Sequence, residues 1–216
     1  VDIVDPRVED YLASRHAVLD TPVLLEMEAE AAARGFPIVG RTVGVALEVL
    51  ARAAGARRVV ELGSGYGYSA YWFARAVGPD GEVHCTDTDP DNAARALDYL
   101  RRAGLARQIR FHVGDALEVL QRLDPPFDLV YNDIDKAGYP AAWRAAREAV
   151  RVGGLYVCDN VLWSGRVVGG DADEVAVPDE ATAAIVEHNR MVAEDERYLS
   201  TIVPIRDGVM VAVRLG

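Results

Sequence analysis

The sequence predicts a doubly wound α/β sheet. Two observations carry this expectation: from residue 58 onward short apolar strands alternate with helices of about ten residues, and a glycine-rich turn joins the first strand to the helix after it. A third observation, Asp207-Gly208 between two apolar runs, places an antiparallel hairpin at the end of the chain.

Each element has a local reason. Pro6 opens a helix over residues 6–18, and Thr21-Pro22 supplies an N-cap followed by proline at the first helical position, for a helix over 22–34 that stops at Gly35. A third helix is expected over 41–54, closed by Gly55. Strands follow at 58–62, 82–86, 109–113, 127–131 and 155–158, with helices at 68–77, 90–102, 116–123 and 140–150 between them. The strands are continuously apolar, as in a parallel sheet covered on both faces. A long glycine-rich loop runs from 161 to 177, of a length typical of lids and binding loops, and a helix is expected over 178–194. The hairpin comprises 199–205 and 209–215. No repeat, low-complexity tract or linker interrupts the 216 residues, so one domain is expected over 1–216, with a helical part over 1–55.

Composition narrows the function. Half the residues are hydrophobic and 26% are charged, enough to build a core. The 34 Asp and Glu against 23 Lys and Arg leave a formal charge of −11, which argues against nucleic acid or an anionic membrane as partner. The only cysteines, Cys85 and Cys158, sit in strands and read as small buried hydrophobes of a reducing, cytoplasmic protein. No run is long and apolar enough for a membrane span, and Asp2, Asp5, Glu9 and Asp10 do not suit a secretory signal. His16, His84, His112 and His188 lack ligand spacing.

Two clusters carry chemistry. Gly63, Gly65 and Gly67 let a ligand approach the backbone after the first strand, and Asp87, 20 residues beyond Gly67, can accept both hydroxyls of an adenosine ribose. Glu61 beside this turn disfavours a pyrophosphate and favours a ligand with a cationic amino group, while Asp115 in VGDA can reach an adenine amino group. S-adenosylmethionine fits these charges better than a dinucleotide. Beyond the fourth and fifth strands stand Asp133, Asp135, Asp159 and Asn160. Strands about 4.8 Å apart bring Asp133, Asp159 and Asn160 to one point, a hard oxygen site for Mg²⁺, with Mn²⁺ or Ca²⁺ also admissible. Lys136 beside them can take a proton from a hydroxyl or stabilise its oxyanion. The ordinary readings, helix caps and solvated charges, stand beside these for each residue alone.

In VVELGSGYGYSA, DTDP, GDA, NDIDKAGY, DNVLWSG and LSTIVPIRDGVMVA, the chain resembles the cation-dependent class I O-methyltransferases, the family of caffeoyl-CoA and catechol O-methyltransferases, from about residue 21 to 215. The resemblance implies a Rossmann-like seven-stranded sheet of order 3-2-1-4-5-7-6 with strand 7 antiparallel, extra N-terminal helices over the active site, and a homodimer. It implies cofactor contacts at Glu61, Gly63, Gly65, Tyr68, Ser69, Asp87, Thr88, Asp115, Ala116 and Asp133. It also implies metal ligands at Asp133, Asp159 and Asn160, catalytic roles for Lys136 and Asp133, and acceptor contacts at Arg41, Asp135, Tyr139 and Trp163. The sequence departs from the family in GSGYGYS and in Asn132, where an apolar residue is common. The implied reaction moves a methyl group from S-adenosylmethionine to a hydroxyl of a catechol-like small molecule. An NAD-dependent oxidoreductase and a non-catalytic cofactor-binding domain are the alternatives. A CoA ester is disfavoured, since Arg34 and Arg41 are the few basic residues at the front.

Overall fold

The computed structural model describes residues 3–169 and 179–216. Three helices, α1 (Pro6–Arg15), α2 (Pro22–Arg34) and α3 (Gly40–Ala53), precede β1 (Arg58–Leu62). Then come α4 (Tyr68–Val77), β2 (Glu82–Asp87), α5 (Pro90–Arg102), β3 (Ile109–Val113), α6 (Ala116–Arg122), β4 (Phe127–Asn132), α7 (Tyr139–Ala149) and β5 (Val150–Cys158). The chain closes with α8 (Glu180–Glu194), β6 (Tyr198–Val203) and β7 (Val209–Arg214). No described helix is long and apolar enough to cross a membrane.

The sheet order is β3-β2-β1-β4-β5-β7-β6. β1 to β5 pair in parallel, and β7 runs antiparallel to both β5 and β6. The order reverses between β1 and β4, which opens a crevice at the carboxyl ends of the strands. Apolar side chains cover both faces. On one, Leu24, Met27, Val43 and Leu47 of the N-terminal helices pack in the same core as Val59 and Trp72. On the other, Phe127, Trp143, Tyr156 and Ile185 form a second core.

The helix starts follow the expected caps. The Thr21 hydroxyl accepts the Leu24 amide at 3.2 Å, and Gly35 ends α2 in the left-handed region at φ 62°. Two boundaries differ from expectation by three residues or more, the others by one or two. The first helix stops at Arg15 because α1 buries no residue, and residues 17–19 tighten into a 3₁₀ turn that turns Leu19 towards the core. β5 starts at Val150, well before residue 155, because a register irregularity between Phe127 and Leu129 accommodates Gly153 and Gly154 inside the strand. The start of α8 expected at Pro178, and part of the loop before it, lie outside the described residues. Within that loop, residues 163–168 form a 3₁₀ segment.

Asp128 ties the lower edge of the sheet together. One carboxylate oxygen accepts the backbone amides of Arg57 (2.8 Å) and Arg58 (2.7 Å), and the other accepts Arg151 Nε at 2.5 Å. Burial pushes this carboxyl up, but Arg151 and the two amides outweigh it and hold it below its usual range. Asp128→Ala strands three donors and is expected to cost about 3 kcal/mol at neutral pH. A depressed acid stabilises above its unfolded pKa and loses that contribution as pH falls through the folded value. Urea melts should therefore show the gap between wild type and variant narrowing towards about pH 3.

Candidate active site

β1 ends in a turn whose backbone only glycine can follow. Gly63 has φ 83°, and a Cβ there would lie 2.6 Å from the Asp133 carbonyl oxygen. Thr86 of β2 braces the turn. Its hydroxyl accepts the Gly63 amide (3.1 Å) and donates to the Glu61 carbonyl (2.9 Å), while its own carbonyl accepts the Ser64 amide (2.7 Å). Above these strand ends lies a cavity of about 770 Å³.

The cavity wall includes most of the residues picked out from the sequence. At one end are Gly63, Gly65, Tyr68 and Ser69, with Asp87, Thr88, Asp115 and Ala116. Asp133, Asp135, Lys136, Asp159, Asn160 and Trp163 line the other. Three residues are placed elsewhere. Glu61 is fully buried behind the wall. Arg41, expected at the acceptor, is held by Glu28 at 3.1 and 2.7 Å and also bonds Asp20. Tyr139 is fully buried, its hydroxyl donating to the Asp159 carbonyl at 2.9 Å.

Local chemistry differs from one acid to the next. Asp87 accepts the Asp89 amide at 2.8 Å and Asn92 Nδ2 at 3.3 Å through a single oxygen. Asp115 caps α6, one oxygen accepting the amides of Leu117 (3.0 Å) and Glu118 (2.9 Å). So the ordinary capping role is real, and each acid keeps a second oxygen free of hydrogen bonds among the described residues. Neither oxygen of Glu61 has a hydrogen-bond partner among the described residues. Burial pushes its pKa up to about 7, opposed only in part by the Ser69 and Ser64 hydroxyls.

Asp133 and Asp159 are the crowded pair. Burial raises both, and the Asp133 charge further disfavours ionisation of Asp159. Lys136 Nζ donates to Asp133 at 2.8 Å and opposes the shift. Asn160 sits at φ 57°, its amide donating to the Asp159 carboxylate at 2.8 Å, while its side-chain amide carries no hydrogen bond among the described residues. No three His, Cys, Asp or Glu side chains among the described residues form a metal cluster. The donor set is two carboxylates and an amide, all hard oxygen ligands. Asn132, the departure noted above, is fully buried and donates to Cys158 Sγ at 3.2 Å, so it serves the β4–β5 pairing.

The sequence reading left out Phe36, Pro37, Ile38 and Val39, which wall the cavity from the α2–α3 connection. Only the stop at Gly35 marked that loop. It also left out Thr86, which reads as an ordinary strand residue.

A mixed sheet of this order with β7 antiparallel, a glycine turn after β1 and acids at the ends of β2, β3, β4 and β5 is the arrangement that the resemblance to class I methyltransferases implied. The O-methyltransferase family matches residues 14–215, and the chain belongs to this family of S-adenosylmethionine-dependent enzymes. A relative from Mycolicibacterium smegmatis that carries the O-methyltransferase family name is 36% identical over 182 residues, covering 83% of this chain and 84% of its own. Among solved structures, the O-methyltransferase TomG of Streptomyces achromogenes, which is involved in tomaymycin synthesis and was solved with S-adenosylmethionine, is 31% identical. It has a TM-score of 0.82 and 91% of each chain covered. Cofactor-bound Rv0187 from MTB is 33% identical, with a TM-score of 0.84 and 97% and 96% of the two chains covered. The family replaces both the oxidoreductase and the non-catalytic alternatives.

Glu61 yields a test on the ligand-free protein. An acid raised by burial contributes stability that is full below its unfolded pKa and lost as pH rises through the folded value, here about 7. Glu61→Gln removes that loss. Thermal melts should show the variant gaining on wild type as pH rises from about 5 to about 8.

Proposed function

We propose that this O-methyltransferase is divalent-cation-dependent and methylates a hydroxyl of a vicinal dihydroxy aromatic small molecule. The observation that carries the reading is the Asp133, Asp159 and Asn160 group on the wall of the cavity whose other end bears Asp87 and Asp115. A buried carboxylate, Asp159, beside a half-buried one, Asp133, that is ion-paired with Lys136, with an uncommitted amide next to them, suits a hard divalent cation. Such a cation, when bound, neutralises the pair and lowers the pKa of a hydroxyl in its shell.

The chain's own residues do the remaining work. S-adenosylmethionine supplies a methyl group on a cationic sulfur. In this reading Asp87, through its free oxygen, and Thr88 receive the ribose, and Asp115 and Ala116 border the adenine. Gly63, Gly65, Tyr68 and Ser69 border the methionine portion, and Glu61 favours its amino group from behind the turn. Lys136, ion-paired with Asp133, stabilises the phenolate oxygen at Nζ. Trp163 and Asp135 flank the acceptor, and Tyr139 positions Asp159 through its carbonyl. Residues 1–55 belong to the same domain in this reading and cover the cavity, supported by their shared core and by the 36–39 wall. Arg34 is paired with Glu30 at 2.7 Å and Arg41 with Glu28 and Asp20, which leaves neither for the phosphates of a CoA ester.

The decisive experiment is methyl transfer to a catechol, with and without Mg²⁺, in wild type and Asp159→Ala. Wild-type turnover should need Mg²⁺ and fall at least about 100-fold in the variant, while S-adenosylmethionine titrates with little change. Equal turnover in a chelator would overturn the cation. In thermal melts of the cofactor-loaded protein, Mg²⁺ should raise the midpoint of wild type and leave Asp159→Ala where it was. Glu61→Gln should weaken S-adenosylmethionine binding by about tenfold, measured by calorimetry.

A further inference from the structure

The turn of the β6–β7 hairpin sits between two walls of the cavity. On one side, Arg206 Nη1 donates to the Ile38 carbonyl at 3.1 Å, and the guanidinium packs so closely on Gly40 that a Cβ there would clash with it. On the other, the Val161 amide donates to Gly208 O (3.1 Å) and the Leu162 amide to Asp207 O (2.9 Å), while Ser164 N bonds the Asp207 carboxylate. Ile38 and Trp163 both line the cavity. Arg206 therefore stands beside the Trp163 end of the cavity, bonded to its wall at Ile38.

The other cations near this end are spent. Lys136 pairs with Asp133, Arg41 with Glu28 and Asp20, and Arg34 with Glu30. Arg166 lies 3.8 Å from Asp179 and stacks over Trp163. Arg206 has no carboxylate partner among the described residues, and its Nε and Nη2 carry no hydrogen bond. The turn does not need arginine either. Residue 206 has φ 47°, a left-handed conformation that glycine takes without cost and a branched-off side chain does not.

An exposed guanidinium with one edge fixed and the other edge open is built for bidentate recognition of a carboxylate. We propose that Arg206 receives a carboxylate on the methyl acceptor, so that the acceptor is an anionic dihydroxy aromatic and not a neutral catechol. The proposal rests on the catechol reading above. It also answers an electrostatic problem, because a cavity lined by Asp133, Asp135 and Asp159 in a chain of net charge −11 repels an anionic acceptor unless a cation stands at its mouth.

The test compares two matched pairs in the presence of Mg²⁺: 3,4-dihydroxybenzoate with 3,4-dihydroxybenzamide, and 3,4-dihydroxycinnamate with its amide. In wild type, the acid of at least one pair should have the lower KM by about tenfold, with kcat similar within the pair. Arg206→Gly keeps the left-handed turn and should collapse that acid-to-amide ratio about tenfold. Arg206→Lys, which keeps the charge and loses the fork, should restore part of it. A purely structural role of Arg206 in holding Ile38 would change acid and amide alike and leave the ratio standing, which overturns the proposal. So would the absence of any acid preference in wild type. If none of the four is methylated although S-adenosylmethionine binds, the catechol reading itself has failed, and the proposal with it.

Discussion

The upper edge of this sheet is governed by one constraint, carboxylates held away from water with too few protein cations to match them. Glu61 and Asp159 are almost wholly buried, and Asp133 holds the only close ammonium among the described residues. In a medium of low polarity each such group either takes up a proton or meets a cation. In the function proposed above, both partners of the cavity are cations at the point of contact: the sulfonium cofactor brings its positive charge and its amino group to the end near Glu61, and a divalent ion meets the end near Asp159. One electrostatic rule therefore organises two binding events that use different chemistry.

The parallel ladder delivers these acids to their places. Hydrogen bonding between strands continues one residue past each strand end. The Asp133 amide donates to Leu62 O at 2.9 Å, and the Asp159 amide to Asn132 O at 3.2 Å. In the same way the Gly114 amide donates to Asp87 O at 2.9 Å. The acids at 133 and 159 are thus the last backbone groups fixed by the sheet, with side chains free to face the crevice. The hand and order of a doubly wound sheet place the crevice where the strand order reverses, between β1 and β4. Gly63 completes the arrangement, since a side chain there would strike the Asp133 carbonyl.

This is also why so much was legible in the sequence. A residue that immediately follows a parallel strand has its position determined by an element only a few residues long, and apolar runs make those elements easy to find. Gly63, Asp133 and Asp159 directly follow strands, Asp87 ends one and Asp115 stands two residues beyond one, and of the strand-end acids all but the buried Glu61 reach the cavity wall. The strand order came through the resemblance, because periodicity alone does not distinguish it from other windings. Residues whose position depends on tertiary contact were harder. Arg41 reads as an acceptor contact, but Glu28 on a neighbouring helix and Asp20 pair with its guanidinium. Tyr139 reads as a contact and is a buried prop for the Asp159 backbone. Nothing local marks the 36–39 loop as a wall, since the residues it faces lie after β1 and β4.

The two ends of the cavity therefore differ in kind. The cofactor end is built from strand termini, where backbone hydrogen bonds leave little freedom. At the acceptor end, loops meet that are distant in the chain, the 36–40 segment and the 161–164 segment, and the β6–β7 turn joins them. Arg206 and Ile38 are 168 residues apart, yet they share a hydrogen bond at the mouth. A substitution in that turn alters which groups face the acceptor without disturbing the ladder that holds the cofactor acids. A sheet that conserves its electrostatic demand at one end can in this way present different acceptors to the same methyl donor, by changing only which side chains the hairpin turn holds over the other.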